Sequence, residues 1–168
     1  MSISKYHVSK NLFDLSNYYS VDAGVSNIVI TENDISYTAT GTYRAIRYTF
    51  PFPYNSRYAI SFGQDSENAK LEIRRLKEGQ VVGNPITMSA GGVQILYNSE
   101  DYDEVRIYIS NGTYIGECKA SSIMLNTGST ALPYEPYGNT WQSIPYKRYE
   151  NGEWVEYSDK KYENGEWT

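Results

Sequence analysis

Histidine and cysteine are nearly absent: the 168 residues hold one of each, His7 and Cys118. A lone cysteine excludes an internal disulfide, and the pair cannot supply the usual Cys/His zinc spacing. No apolar run approaches the roughly 20 residues of a membrane span. The opening Met1–Lys10 also lacks the apolar stretch of about 7–15 residues that marks an export signal. Leucine and alanine are scarce, 15 together against 23 isoleucines and valines. A strong field of one sign is missing too, because the formal net charge of −5 comes from interspersed acids and bases, which argues against a dedicated nucleic-acid binder. These absences leave a soluble, unexported protein with no nucleic-acid or membrane partner and no cofactor.

What is plentiful is tyrosine: 18 residues, against four phenylalanines and three tryptophans. With few leucines and alanines, tyrosine rings must supply much of the buried area, each hydroxyl needing a partner or water. The surplus of β-branched residues favours strands. Turn signals at Glu32-Asn33-Asp34, Pro51-Phe52-Pro53, Glu78-Gly79, Gly91-Gly92 and Asn111-Gly112 separate short runs. The runs are Val25–Thr31, Ile35–Thr40, Tyr43–Phe50, Tyr58–Gly63, Lys70–Leu76, Val93–Tyr97, Glu104–Ser110 and Tyr114–Leu125. Eight strands at this spacing predict an all-β sandwich or barrel.

Alternation assigns faces, since successive strand side chains point to opposite sides. Ile46, Tyr48 and Phe50 face inward, as do Tyr58, Ile60 and Phe62, Leu71 and Ile73, and Val105, Ile107 and Ile109. The outward residues include Tyr43, Arg47, Glu72, Arg74, Arg106 and Tyr108. Asn111-Gly112 reads as a two-residue hairpin turn.

Composition changes after residue 137. Residues 1–10 read as an N-terminal arm, 11–137 as the sandwich, 138–145 as a linker and 146–168 as a tail. The tail repeats itself, Tyr149-Glu-Asn-Gly-Glu-Trp154 and Tyr162-Glu-Asn-Gly-Glu-Trp167. Asn-Gly at the centre predicts a hairpin in which Glu150 faces Glu153, Tyr149 faces Trp154, Lys147 faces Glu156 and Tyr146 faces Tyr157. The second copy has little strand left to complete its own hairpin. Six aromatics (Tyr146, Tyr149, Trp154, Tyr157, Tyr162 and Trp167) against one aliphatic, Val155, cannot build a core alone. These six are the candidate docking residues, joining copies of the chain or another protein.

Residues 123–138, Ile-Met-Leu-Asn-Thr-Gly-Ser-Thr-Ala-Leu-Pro-Tyr-Glu-Pro-Tyr-Gly, resemble the closing motif of a jelly-roll domain common in tailed-bacteriophage structural and tail proteins. The opening Lys10-Asn11-Leu12-Phe13-Asp14 resembles that family's start. Asn126-Thr127 departs from its usual acidic residue and Leu132 from its usual threonine. The resemblance implies a jelly-roll β-sandwich over 11–137, similar in fold to carbohydrate-binding modules. The tail is similar to the short Tyr/Trp hairpin repeats at the C-termini of such proteins, and less so to choline-binding repeats.

No nucleophile–base pair stands out. His7 lies in the polar arm, and Cys118 sits mid-strand as a small buried residue. Asp14, Asp22, Asp101, Asp103 and Glu104 mark loops where calcium would sit if any were bound, although a solvated loop explains them equally. No enzyme is expected. The outward arginine–tyrosine set has binding chemistry, since aromatic faces and planar guanidinium donors suit sugars. Tyr43, Arg47, Glu72, Arg74, Arg106 and Tyr108 are therefore the candidate carbohydrate-binding residues. The same face would serve equally as an ordinary solvated sheet surface or as packing against another subunit. Loops around Tyr18-Tyr19, Tyr54 and Tyr97–Tyr102 are comparable candidates.

The resemblance implies a non-enzymatic virion protein assembled in the host cytoplasm, a tail, baseplate or fibre accessory. Its partners would be other virion proteins, copies of itself, and host-surface carbohydrate. Two alternatives stand beside it: a capsid decoration or head-fibre protein that binds no glycan, and the carbohydrate-binding module of a secreted glycosidase.

Overall fold

The computed structural model describes the chain apart from residues 1–2, 101, 145, 151–152, 158–161, 164–165 and 168, and gives the backbone alone for 3–8 and the rest of 139–167. Two compact units result, Lys10–Tyr137 and the pairing of Met1–Ser9 with Gly138–Thr168. Every regular element among the described residues is a strand. In chain order they are β1 (Ile3–Val8), β2 (Ser20–Val21), β3 (Val25–Ile30), β4 (Asp34–Ala39), β5 (Ala45–Pro51) and β6 (Arg57–Ser61). Next come β7 (Lys70–Lys77), β8 (Gln80–Met88), β9 (Val93–Tyr97), β10 (Glu104–Ser110), β11 (Gly116–Ser121) and β12 (Met124–Thr127). The other unit adds β13 (Asn139–Ile144), β14 (Tyr146–Glu150), β15 (Glu153–Tyr157), β16 (Tyr162–Glu163) and β17 (Glu166–Trp167).

The larger unit is a jelly-roll sandwich. One layer runs β2-β5-β10-β7-β8; the other joins β11-β4-β3 to β12-β6-β9. The join is a broken strand: β11 pairs with β4 and β12 with β6, and the chain kinks between them at Ser122, whose φ is 50°. Backbone bonds from Gly63 N to Ser121 O (3.0 Å) and from Ser122 N to Asn33 O (2.8 Å) carry the ladder across the kink. From β4 to β11 the chain alternates layers at each connection except the β7–β8 hairpin, the winding of a jelly roll.

The inward residues meet between the layers as alternation predicts. Ile46, Tyr48, Ile60, Phe62, Leu71, Ile73, Val105, Ile107 and Ile109 join one buried cluster, with Phe50 packed half-buried against it. Each fully buried aliphatic or phenyl side chain contributes about 1.5–3 kcal/mol. Tyrosine fills the rest, and its hydroxyls are satisfied: Tyr48 donates to Leu15 O at 3.0 Å, Tyr58 to Pro51 O at 2.6 Å and Tyr37 to Ile109 O at 3.5 Å.

Buried asparagines fasten the connections. Asn11, 3% exposed, donates to Ile123 O (3.0 Å) and Glu135 O (2.9 Å) and accepts from Phe13 N (2.9 Å) and Leu125 N (3.0 Å). It ties the start of the sandwich to β12 and to the closing segment, where Lys10 N also meets the Glu135 carboxylate. Asn98 donates to Phe52 O and Tyr102 O, both at 2.6 Å, and accepts from Tyr102 N at 2.9 Å.

Several expectations are corrected. Asn111-Gly112 is not a hairpin turn, because β10 and β11 belong to different layers. Its turn closes from Tyr114 N to Asn111 O at 3.1 Å, while the Asn111 side chain turns inward, accepting from Arg44 N (2.7 Å) and donating to Gly41 O (2.7 Å) and Tyr114 O. The arm and the linker are strands: β1 pairs antiparallel with β13, Ile3 opposite Ile144 through Val8 opposite Asn139. Neither segment shows a strand pattern strong enough to be read alone. The first tail repeat adopts the expected register, Tyr146 opposite Tyr157, Tyr149 opposite Trp154 and Glu150 opposite Glu153. The second repeat, read as incomplete, also pairs, Tyr162 with Trp167 and Glu163 with Glu166.

Candidate functional site

Strand β10 lies between β5 and β7, and its register decides what meets on the outer face. Tyr108 stands opposite Arg47 on β5 and Glu72 on β7, and Arg106 stands opposite Thr49 and Arg74. Directly opposed residues share a face, so Arg47, Glu72, Arg74, Arg106 and Tyr108 come together as the sequence predicts. All five are half-buried.

The groups are paired before any ligand arrives. Arg74 meets the Glu72 carboxylate at 2.5 Å, Arg106 pairs with Glu104, and Arg47 pairs with Asp22 while also donating to Ser20 Oγ at 3.3 Å. The Arg47 and Arg74 guanidinium carbons lie 5.4 Å and 4.6 Å from the Tyr108 ring centre, one from each neighbouring strand. Arg106 stands 5.5 Å from the ring centre of Tyr19, whose amide donates to Arg47 O at 2.9 Å. Each guanidinium carries five N–H donors, more than these pairs use, so fixed donors remain on the face.

Tyr43 is not part of this set. Its φ of 54° breaks the strand pattern, β5 begins only at Ala45, and its amide donates to Gly112 O at 2.5 Å in the turn that closes against Asn111. Counting alternation back from Arg47 therefore fails at Tyr43, which is 69% exposed at the end of the sheet. Sequence reasoning placed three members of the face elsewhere, Tyr19 as a loop candidate and Asp22 and Glu104 as loop carboxylates. Glu104 was legible as the same-side neighbour of Arg106 two positions away, whereas Tyr19 and Asp22 flank a two-residue strand that carries no pattern.

The remaining candidates fall elsewhere. Cys118 is buried opposite Tyr37, and burial pushes its thiol up from the ordinary value, so it is no ready nucleophile. His7 lies on β1, but its side chain is outside the described residues, as are Asp101 and the side chains of Tyr146, Tyr149, Trp154, Tyr157, Tyr162 and Trp167. The loop carboxylates have protein partners: Asp103 accepts from Glu78 N at 2.7 Å and Asp14 from Ser16 N at 2.9 Å. Tyr97 donates to Asn55 Oδ1 at 2.7 Å beneath Arg57, whose guanidinium lies 4.7 Å from its ring centre. A cleft of about 380 Å³ on the other layer is lined by polar and apolar groups alike, Val29, Ser36, Thr38, Glu67 and Lys119 among them, together with Cys118, which the sequence singled out only as a small buried residue.

No family model matches the sequence, and no curated protein matches it. Solved structures similar to the chain include a CBM4, with a TM-score of 0.43 at 11% identity over 62% of this chain and 77% of that one. Another is the enzymatically active domain of tailspike protein 4 from Bacteriophage CBA120, with a TM-score of 0.47 at 12% identity. That match takes in 71% of this chain and spans 20% of the tailspike structure's length. At these scores neither likeness assigns a ligand or an activity.

Proposed function

We propose that this protein is a non-enzymatic bacteriophage virion component, a tail, baseplate or fibre accessory, whose outer arginine–tyrosine face engages carbohydrate on the host surface. The observation that carries the reading is the Arg47–Tyr108–Arg74 stack, in which two guanidiniums are held against one ring and anchored by Asp22 and Glu72. Donors fixed in advance lose little conformational freedom on binding, which is the main cost a weak polyol ligand must overcome. The sequence resemblance at 10–14 and 123–138 supports the virion setting. The non-enzymatic reading is supported by the buried thiol of Cys118 and by carboxylates already engaged in ion pairs.

A glycan array and pull-down on host wall material, run with the full chain and with Arg74→Ala and Tyr108→Ala, test the proposal. Binding by the parent chain that both variants lose is the expected result. Stable incorporation into virions with no binding to any glycan or wall fraction would instead favour a purely structural role.

A further inference from the structure

Resting on that reading, we infer that the ligand is an uncharged polysaccharide and that the face discriminates against acidic glycans. Arginine-rich surfaces ordinarily attract anions, but here every arginine of the face is already matched. Arg47 pairs with Asp22, Arg74 with Glu72 and Arg106 with Glu104, so three positive and three negative groups cancel within the patch. The flanking strand β8 contributes no charge along Gln80–Met88, and β2 adds only Ser20 and Val21. Lys70, exposed at one end of the β7 row near Gly112, stands outside the cancelling set, and Arg75 turns to the Tyr102 ring, 5.1 Å from its centre. Lys77, at the other end, lies next to Glu78 and near Asp103, which accepts the Glu78 amide.

An anionic sugar would have to displace a carboxylate from its guanidinium or settle beside one. Either event meets like-charge repulsion from Asp22, Glu72 or Glu104 in a partly desolvated patch. Uncharged hydroxyls face no such conflict. They accept from the guanidinium N–H groups that the ion pairs leave over, donate to the carboxylate oxygens, and exchange both roles with tyrosine hydroxyls. Tyr19 adds an apolar surface, 46% exposed, beside Arg106. Because no net charge is neutralised on binding, affinity is insensitive to ionic strength.

The test is calorimetric titration of the full chain with neutral polymers (dextran, a β-glucan, a galactomannan) and acidic ones (polygalacturonate, hyaluronate, teichoic acid). Each is measured at about 0.01 M and about 1 M salt, where the screening length falls from about 30 Å to about 3 Å. At least one neutral polymer is expected to bind, with a Kd changing less than about two-fold between the two salts, and no acidic polymer is expected to bind. Tyr108→Ala is expected to abolish that binding, and Arg106→Gln to weaken it at unchanged far-UV circular dichroism. Binding of acidic polymers that weakens ten-fold or more at high salt, by the order expected for released counterions (about ten-fold or above), overturns the inference while leaving the carbohydrate reading intact. Neutral binding that survives Tyr108→Ala overturns the assignment to this face. Failure to bind any polymer overturns the carbohydrate reading itself.

Discussion

Replacing Asn11 with leucine, which has the same number of side-chain heavy atoms and the same branching at Cγ, removes a polar hub from the sandwich without opening a cavity. The amide accepts from Phe13 N and Leu125 N and donates to Ile123 O and Glu135 O, at 2.9–3.0 Å. Phe13 is 1% exposed and Leu125 0%, so water cannot readily reach the two stranded amides, whereas Glu135 is half-buried and its carbonyl can be rehydrated. A lost bond costs about 1 kcal/mol net, and each group left buried without a partner about 1–3 kcal/mol. The expected loss is therefore about 3–5 kcal/mol, a large part of the roughly 5–15 kcal/mol that holds a domain folded. The assay follows from where the tryptophans lie. Trp141, Trp154 and Trp167 all belong to the smaller unit, so near-ultraviolet tyrosine dichroism follows the sandwich and indole fluorescence mainly the other unit. In urea, a slope of about 2 kcal/mol per molar puts the dichroism midpoint about 2 M lower at unchanged slope. A shift worth less than about 1 kcal/mol refutes the role given to Asn11.

Gly63→Ala places a Cβ 2.6 Å from Ser121 O and 2.8 Å from Ser122 Cβ at the kink; a stability loss of about 1–3 kcal/mol is expected in the same titration, and a neutral result contradicts the close approach. Burial raises the Tyr37 and Tyr48 phenols above the ordinary 10.0. The unfolded chain therefore ionises first, so stability is level below about pH 10 and falls above it by up to about 1.4 kcal/mol per pH unit for each tyrosine. Tyr37→Phe should flatten that decline in alkaline unfolding curves, and an unchanged slope refutes the assignment. A double-mutant cycle on Arg74 and Tyr108 should return a coupling of about 0.5–1 kcal/mol, and zero coupling means the stack contributes nothing. We further propose that the tail repeats join copies of the chain: deleting residues 146–168 should lower the number of chains per particle found by light scattering, and an unchanged oligomeric state rules this out.

How far the sequence reaches depends on how each residue earns its place. Period-two alternation located β9 and β10 at their observed bounds, β3, β4 and β7 to within one residue and β6 to within two, because burial on one face writes itself into every second position. It missed β8, whose Gly83, Asn84 and Pro85 read as loop while its burial alternates poorly at the sheet edge. It ran β11 and β12 together as one strand, Tyr114–Leu125, since a serine with positive φ looks like any other serine. The face was legible where facing strands were regular: Arg47, Arg106, Tyr108, Arg74 and Glu72 follow from alternation once β10 lies between β5 and β7, two pairings the sequence left open. Tyr43 failed because local backbone conformation overrode periodicity. Asn111 read as a turn residue, Asn11 only as part of an opening motif and Asn98 as one position of a loop, yet each works by reaching buried backbone groups that only the folded chain brings near.

The pairing of β1 with β13 has a mechanical meaning. Ile3 and Ile144 lie at one end of that ladder and Val8 and Asn139 at the other, where Ser9 N donates to Gly138 O at 3.3 Å. Tension applied to the chain on either side of this clasp arrives at the Ile3–Ile144 end and opens it like a zipper, one bond at a time. The 128 residues of Lys10–Tyr137 stay slack behind it until the last bond parts. The two strands thus act as a fuse: a pull that would shear the sandwich is first spent, at low force and over several nanometres of released chain, on a ladder that can close again when the load is removed.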